Sequence, residues 1–452
     1  MVILGVRLAS GAVDAVKSVG LGLGRLWRIL VCQSLEPTHD VISHSDPGEA
    51  VNRAREAGGL DSLLDGTCIK EDYRFCKLAM INLRQFIVSI LPGPLHSALR
   101  PWWRRFFRFK QLARGWAPFI VWLLVQCARH RTKAVIICRC GALGDVVCTL
   151  PMCGEIRKRH PRRLIVFVTA AVYRDMVLLS NAPDVVFGSR SWVWPFSMPD
   201  KFNVLGLVDM VYSPKTTDER FKASGATCHL IDDLAGSCGL SVTVRQPRLY
   251  PSSSLIKKTR MAYELGEDVV GNRLIIGING GRSWPVRMWD VFKWQNLINK
   301  IHSEYDTVII QFGTTRCDGC DEYDNLTGVK SLANRLKSEE IVALIAICDL
   351  IIAIDSGPVH LAGTVGTPVV GLFGPVNPSY RLPTDSPGVG LFSEVPCLFC
   401  HNRTPLGHWN TGCPNNISCM KKLDDQTVFE AVKSMLAHSK EREVKESIPA
   451  LD

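Results

Sequence analysis

A chain of 452 residues that is 46% hydrophobic and 21% charged is too long for one ordinary core and too apolar to be disordered over most of its length. Its formal net charge of +10 is concentrated, because the stretch from Tyr73 to Gly144 holds thirteen Lys or Arg and no Asp or Glu. The length predicts two globular domains. The residues outside the basic window are slightly acidic, so the chain is not basic throughout.

The 17 cysteines are an odd number, and many stand in apolar runs such as Ala134–Cys140. This usage is typical of free buried thiols in a reducing compartment and not of a secreted disulfide framework. Arg7, Asp14 and Lys17 interrupt the first apolar segment, so a signal peptide is not predicted. The apolar stretch Ala117–Val125 is about half as long as a bilayer span requires. We therefore expect a cytoplasmic protein.

Residues 1–133 are predicted to form a mainly helical, basic extension. A helix over Arg100–Arg114 would place aromatic residues on one face and arginines on the other. Such a helix is typical of an interface with anionic lipid headgroups, on the cytoplasmic face of a membrane. Arginines interleaved with aromatic residues also suit single-stranded nucleic acid, and a helix packed on the domain with solvated arginines fits the same pattern. We favour the anionic membrane surface and expect no nucleic-acid partner.

From Ala134 onwards, short apolar runs alternate with helical segments in two blocks. The predicted strands are Ala134–Cys138, Arg163–Thr169 and Val204–Met210 in the first block, and Leu274–Ile278, Thr307–Phe312, Leu350–Ile354 and Pro368–Phe373 in the second. This alternation predicts an α/β fold of two Rossmann-like domains facing a cleft. The expected boundaries are a first Rossmann-like domain over 134–246, a linker over 247–271, a second Rossmann-like domain over 272–437 and a charged tail over 438–452.

The first motif is a glycine-rich turn that follows the first strand and opens a helix. Gly141 and Gly144 let the backbone turn tightly, and Asp145 follows at the point where open α/β sheets bind substrates. The spacing is not the dinucleotide fingerprint G-x-G-x-x-G. A tight turn with Asp145 as a helix-capping carboxylate is the alternative.

Two further motifs follow strands of the second block. In Ile354–His360, Ser356 is expected to cap a helix and Pro358 to be its first residue, so that the helix N-terminus forms an anion site. His360 would add a donor, or simply pack locally. In Asn279–Trp289, glycines, a hydroxyl and two arginines can cradle phosphates, although a surface loop with solvated arginines has the same composition.

The order and local sequence of these motifs resemble glycosyltransferase family nine, the ADP-heptose:lipopolysaccharide heptosyltransferases. The resemblance runs from about Ala134 to Val432; the matching segments are Gly141–Val147, Thr149–Pro151, Pro247–Tyr250, Gly280–Trp289, Asp355–Ala362 and Phe373–Pro378. It implies a GT-B fold and an inverting, metal-independent transfer of a heptose or related sugar. The donor would be an ADP-sugar, and the acceptor a lipopolysaccharide core or another lipid-linked glycan.

The resemblance also assigns roles to individual residues. Asp145 matches the carboxylate that acts as general base, and Gly141 and Gly144 match the loop on the acceptor side. The donor site would comprise Ser283, Arg287, Asp355, Ser356, Gly357, Pro358 and His360. Arg287 stands where the family usually has lysine, which replaces a point charge by a bidentate grip on the diphosphate. Arg282 likewise occupies a position often held by a hydroxyl residue, and both departures bear on the donor sugar.

A last cluster has a metal-ligand spacing, with Cys397 and Cys400 followed by Cys413 and Cys419. Its alternative is a thiol cluster in a loop. The stretch is similar to a Cys-ligated iron site in protein-modifying relatives of the family, which implies a structural zinc or iron and no cofactor for catalysis. Two other functions therefore stay open: a protein-modifying heptosyltransferase and a nucleotide-sugar-binding adaptor without turnover. Asp145 in its Gly-Asp turn favours an enzyme.

Overall fold

The structure is a computed structural model that describes residues 119–189, 206–221, 224–266, 270, 273–281, 285–313, 322–404 and 413–447. The chain divides into two compact units, Met1–Arg100 and Pro101–Asp452, and all the described residues belong to the second unit. The predicted extension up to residue 118, with the basic-aromatic segment Arg100–Arg114, lies outside the described residues.

The first sheet has four parallel strands in the order β3-β2-β1-β4. Their bounds are β1 Ala134–Cys138, β2 Leu164–Ala170, β3 Val185–Ser189 and β4 Val208–Tyr212. The strands β1 and β2 are buried at every position, as their unbroken apolar sequences require of a parallel sheet covered on both faces. The helices around this sheet are α1 over 119–130, α2 Leu143–Thr149, α3 Met152–Arg159, α4 Arg174–Val177, α5 Thr217–Phe221 and α6 Leu230–Gly236.

The second sheet has six parallel strands in the order β10-β9-β8-β5-β6-β7. Their bounds are β5 Leu274–Asn279, β6 Thr307–Gln311, β7 Lys330–Ser331, β8 Leu350–Ile354, β9 Val369–Leu372 and β10 Gly388–Leu391. The helices are α7 Ser253–Ala262, α8 Val291–Glu304, α9 Ser338–Ala346, α10 Gly357–Val365, α11 Ser418–Lys421 and α12 Asp425–Ser447, and short 3₁₀ turns lie at Ala171–Tyr173, Pro285–Arg287, Glu322–Asn325, Pro378–Tyr380 and Cys400–Asn402.

Two parallel sheets with helices confirm the predicted α/β class, and both strand orders reverse in the manner of doubly wound folds. In the first sheet the reversal lies between β1 and β4, and in the second between β5 and β8. Ligands of such sheets bind outside the carboxyl ends of the strands at these points. Asp145 follows β1 and Asp355 follows β8. Both therefore lie at the points where such folds form their ligand-binding crevices.

The two sheet regions, which we call the first-sheet region (119–246) and the second-sheet region (273–447), share one apolar core. Buried side chains of α2 and α6, such as Val147 and Leu230, belong to the same cluster as Val359 and Ala362 of α10. On its other face, the first sheet is covered by α1 through Phe119 and neighbouring residues. The carboxyl ends of β1 and β8 are thus brought toward each other by the packing of α2 on α10.

Local chemistry divides two segments more finely than predicted. The helical segment that the glycine-rich turn opens is divided into α2 and α3 at Pro151, because proline has no N–H to continue the helical hydrogen bonds. The segment 247–271, expected as a linker, contains α7. This helix is capped by Ser252, whose Oγ accepts a hydrogen bond from Leu255 N at 3.2 Å.

Candidate active site

The Asp145 carboxylate is held by an arginine that is buried at the end of β1. Arg139 Nη2 donates to Asp145 Oδ2 at 2.6 Å, and the Arg139 side chain has no exposed area, whereas that of Asp145 is 25% exposed. A Cβ on Gly141 would lie 3.0 Å from both Arg139 Nε and Asp145 Oδ2. Glycine therefore lets the turn close around this pair. Asp145 stands in the first turn of α2 without capping it, and its carboxylate remains partly open to the crevice.

A second carboxylate occupies the other edge of the same guanidinium. Arg139 Nη1 donates to Glu219 Oε2 at 2.7 Å and to Pro214 O at 3.1 Å, and Nη2 lies 3.1 Å from Glu219 Oε1. Burial lowers the pKa of Arg139, but the charges of Asp145 and Glu219 more than offset it and raise that pKa above its usual value. A permanent cation therefore lies between two carboxylates at the reversal point of the first sheet.

Two arginines approach the Asp355 carboxylate at the corresponding point of the second sheet. Arg287 Nη1 donates to the backbone oxygen of Asp355 at 2.9 Å, and Arg287 Nε lies 3.3 Å from Asp355 Oδ2. Arg381 Nε lies 4.0 Å from Asp355 Oδ1. Burial lowers the pKa of Arg287, and Asp355 opposes this shift. Two guanidiniums facing one carboxylate leave an excess positive charge, which suits a diphosphate.

The helix α10 begins directly beside these charges. Ser356 stands at its N-cap as predicted, but the Ser356 hydroxyl donates to Asn279 Oδ1 and to Ile354 O, both at 3.0 Å, and does not cap the helix. Asn279 Nδ2 in turn donates to Phe312 O at 2.8 Å. Pro358 is the second residue of the helix and not the first. Ser356 and Asn279 thus join the carboxyl ends of β5, β6 and β8, and the positive end of the α10 dipole lies at the crevice.

The start of α10 packs against the start of α2. A Cβ on Gly144 would lie 2.8 Å from His360 Cδ2, and one on Gly357 would lie 2.9 Å from Leu143 Cδ2. His360 Nδ1 lies 3.5 Å from Cys148 Sγ. Burial, and then the charge of Arg381, lower the pKa of His360 to about 3, so its ring is neutral at pH 7. His360 packs between the two regions, and its role toward the donor stays a prediction.

The predicted phosphate-binding hydroxyl, Ser283, lies in the segment 282–284, outside the described residues. The structure therefore brings together Gly141, Gly144 and Asp145 on one side, and Arg287, Asp355, Ser356, Gly357, Pro358 and His360 on the other. Their assignment to catalysis and donor binding remains a prediction from the motifs.

The four cysteines of the predicted metal site line one small cavity, next to Val286 and Pro375; they are Cys397, Cys400, Cys413 and Cys419. Burial and the neighbouring thiols raise the pKa of Cys400, and they raise that of Cys419 to about 11. Among the described residues, no group of three or more His, Cys, Asp or Glu is spaced to hold a metal ion. The fold thus gathers the four thiols without setting them at ligand distances.

Three charged residues of this site escape analysis of the sequence. Arg139 has a usable signal, since a charged residue stands directly after a fully apolar strand and before a glycine turn. Glu219 and Arg381 have none, because α5 and the segment after the turn Pro378–Tyr380 are brought to the site only by tertiary packing. Leu382, the residue after Arg381, is held by a contact between the regions, in which His229 Nε2 donates to Leu382 O at 3.0 Å.

The amino-acid sequence of this chain is similar to those of several known proteins. Residues 234–432 match the family model described as glycosyltransferase family 9 (heptosyltransferase). A lipooligosaccharide heptosyltransferase 2 of Campylobacter jejuni is 28% identical over 173 residues, which cover 36% of this chain and 52% of that protein. A lipopolysaccharide heptosyltransferase 3 of Escherichia coli is 29% identical over 136 residues, or 27% of this chain and 40% of that protein. The chain spans about half, or less, of the length of these curated relatives.

Solved structures support the fold. A family 9 glycosyltransferase from Veillonella parvula superposes with a TM-score of 0.51 at 16% identity, covering 68% of this chain and 97% of that one. The E. coli ADP-heptose LPS heptosyltransferase II superposes with a TM-score of 0.50 at 14% identity, covering 68% of this chain and all of that one. The predicted GT-B fold and the resemblance to family nine are confirmed.

Proposed function

We propose that this chain, which resembles glycosyltransferase family nine in its motifs and fold, is an inverting glycosyltransferase. It transfers a heptose or related sugar from an ADP-sugar to a lipopolysaccharide core or another lipid-linked acceptor. The observation that carries this proposal is the division of the crevice. A partly exposed carboxylate, Asp145, lies on one side, and the cationic pair Arg287 and Arg381 lies with the α10 N-terminus on the other.

The second-sheet side is the proposed donor site. The diphosphate would lie against Arg287, Ser283 and the start of α10 at Gly357, where guanidinium and backbone N–H groups offer charge-assisted hydrogen bonds. Asp355 is nearly fully buried beside Arg287, so we assign it to orienting that arginine and the sugar end of the donor. An ADP-heptose donor is supported by the names of the relatives, which are heptosyltransferases, and by that of the E. coli ADP-heptose LPS heptosyltransferase II.

The proposed chemistry is a single displacement. Asp145 accepts the proton of the acceptor hydroxyl as its oxygen attacks the anomeric carbon, and the bond from that carbon to the diphosphate oxygen breaks on the opposite face. ADP leaves with the bond electrons. Arg287, Arg381 and the helix terminus stabilise the charge that develops on it. These cations supply the role that a metal has in other transferases, which is why we propose a transfer without a metal ion.

A lipid-linked acceptor is expected to be met at an anionic membrane surface, peripherally and on the cytoplasmic face. The basic window from Tyr73 to Gly144 supports this location. Within the window, α1 leaves apolar side chains exposed on one face, with Val121 at 61%, Val125 at 56% and Leu124 at 38%. In the described part of the chain, no helix is long and apolar enough to cross a bilayer.

We also propose a structural zinc or iron at the cysteine cluster. Four thiols around one cavity have the number and the soft donor atoms that zinc and iron prefer, although the side chains must shift to reach ligand distances. The ion would cross-link the segments around residues 397–400 and 413–419. Val286, which precedes Arg287, lines the same cavity. Its role is to brace the donor loop. Elemental analysis of the purified protein, before and after chelation, tests its presence.

The proposed function is tested by a transfer screen over ADP-, GDP- and UDP-sugars with intact and delipidated lipooligosaccharide acceptors. We expect transfer of heptose from the ADP-sugar, with inversion at the anomeric carbon detected by NMR of the product. Transfer to a protein and to no glycolipid would favour the protein-modifying alternative. Donor binding without transfer to any acceptor would favour the adaptor.

A further inference from the structure

The buried ion-pair cluster at the end of β1 has a feature that substrate binding does not explain. The Arg139 side chain is wholly buried, so it cannot contact a donor or an acceptor, yet it bonds directly to Asp145. A buried cation is costly unless its partners are fixed. Here both edges of the guanidinium are occupied, one by Asp145 and the other by Glu219.

Glu219 is itself held in place by the first-sheet region. Its Oε2 accepts a hydrogen bond from Thr216 N at 3.0 Å. The next residue, Thr217, donates through its backbone N and its hydroxyl to the Asp233 carboxylate on α6, at 2.8 and 2.5 Å. Arg220 Nη2 also bonds Asp233 Oδ1 at 3.2 Å. The short helix α5 is therefore anchored, and it presents Glu219 to Arg139 in one orientation.

We propose that Arg139 is a positioning residue that fixes the orientation of the base Asp145, and that Glu219 is the counter-charge that keeps this carboxylate a strong enough proton acceptor. Arg139 alone would stabilise the ionised carboxylate and so weaken its tendency to take a proton. Glu219 offsets part of that charge while leaving the Arg139–Asp145 hydrogen bond intact. The inference rests on the proposed function, in which Asp145 takes the acceptor proton.

Three other charged or titratable groups interact with Asp145. They are Tyr173 in the 3₁₀ turn after β2, Cys148 on α2 and Arg287 in the second-sheet region. After burial, the charge of Asp145 raises the pKa of both Tyr173 and Cys148. Among the described hydrogen bonds, only the one from Arg139 reaches the Asp145 carboxylate. The charges on Arg139 and its second partner, Glu219, are therefore the ones to vary.

The test compares kcat–pH profiles of the full-length wild type, Glu219→Gln, Arg139→Met and the double variant. In Glu219→Gln, the loss of the counter-charge should move the acid limb of kcat to lower pH by about one unit and lower the plateau. In Arg139→Met, Asp145 faces Glu219 without a cation, so the acid limb should move to higher pH and kcat should fall roughly 100-fold. The double variant should return the acid limb toward that of the wild type without restoring kcat.

The matched controls remove the same charges from an ion pair elsewhere in the first-sheet region. Glu155→Gln breaks a pair with Lys158, and Arg157→Met breaks a pair with Asp184. Both should keep the wild-type acid limb. The KM for the donor should stay at the wild-type value in Glu219→Gln, since the donor binds across the crevice. A purely structural role for the cluster would lower the melting temperature and leave the acid limb unmoved.

The outcomes separate the inference from the function on which it rests. An inactive Asp145→Asn together with a wild-type profile for Glu219→Gln would overturn the inference alone. Equal turnover by Asp145→Asn and the wild type, or no transfer by the wild type, would overturn the proposed function itself. If Arg139→Met does not fold, the direction of the shift in Glu219→Gln decides, because the Glu219 side chain is 39% exposed and its replacement leaves no buried cavity.

Discussion

At the scale of single residues, Arg287 is the side chain through which the donor site is most directly accessible to experiment. Arg287→Ala would remove the charge-assisted contact that we propose to the diphosphate, together with the ion pair between Arg287 and Asp355. We expect the affinity for ADP to fall roughly 10- to 100-fold, measured by calorimetry. The ADP affinity of Arg287→Lys should lie between those of the wild type and Arg287→Ala, because lysine keeps the charge and loses the bidentate geometry.

The control for this change is Arg245→Ala, which removes an arginine from an exposed pair with Asp232. It should bind ADP as the wild type does. Unchanged ADP affinity in Arg287→Ala, with an intact fold, would place the phosphate site elsewhere.

Two buried histidines predict how stability depends on pH. Burial, followed by the charge of Arg381, lowers the pKa of both His360 and His401 to about 3. In the unfolded chain these rings titrate near 6.5, so the unfolded state binds more protons between pH 6.5 and 3. The neutral rings therefore stabilise the fold fully above pH 6.5, and this contribution is lost as the pH falls toward 3. Between pH 7 and 5 the loss is about 2 kcal/mol for each histidine.

Denaturant unfolding at a series of pH values measures this effect. His360→Asn should show a shallower fall of the free energy of unfolding between pH 7 and 5 than the wild type. Equal slopes in the wild type and His360→Asn would contradict a buried neutral His360.

At the scale of elements, α2 and α10 approach each other closely at their N-terminal ends, beside Asp145 and Asp355. Gly144→Ala would place a methyl group 2.8 Å from the His360 ring, so either this buried ring or the two helices must shift. We expect a lower melting temperature and a lower kcat, because Asp145 follows Gly144 directly and moves with α2. Kinetics and thermal unfolding of the same preparation check both effects.

Gly154 provides the matched control on α3, since a Cβ there meets no atom within 4 Å. Gly154→Ala should stabilise the protein by up to about 1 kcal/mol, because glycine inside a helix is unfavourable. It should leave kcat unchanged. A Gly144→Ala variant as stable and active as Gly154→Ala would show that the two helices do not need this close approach.

Elements with strong local patterns could be predicted from the sequence, and elements defined by distant contacts could not. The apolar runs placed β1 and β8 at their observed bounds, and the strand β5 within one residue. The short strands β7 and β10 are defined by pairing with their neighbours, and β7 has only two residues, so no periodicity indicates them. Asp145, Arg287 and Asp355 were recognisable from motifs after strands. Glu219 and Arg381 become part of the site only through tertiary packing.

At the scale of the whole molecule, the acid-free basic window predicts binding to anionic membranes. Replacement of Arg100, Arg104 and Arg108 together should weaken binding to anionic vesicles by roughly two orders of magnitude, since each arginine near the surface contributes about 1 kcal/mol. Binding should also fall as salt is added. Transfer to a short soluble acceptor should barely change, and vesicle sedimentation with a parallel transfer assay measures both.

A control with equal loss of charge is the triple replacement of Arg245, Lys257 and Lys258, which lies outside the window and on exposed positions. It should retain vesicle binding. Equal binding of the wild type to neutral and anionic vesicles would contradict a charge-driven membrane contact.

In the proposed mechanism, the first-sheet region supplies the base and the second-sheet region holds the donor. Asp145→Asn separates these two roles, because the change removes the proposed proton acceptor and keeps the size of the side chain. Turnover with the ADP-sugar and a lipooligosaccharide acceptor should fall by roughly two to four orders of magnitude. The calorimetric affinity for ADP should stay close to that of the wild type. Near-normal turnover, or a loss of ADP affinity that matches the loss of rate, would contradict the account.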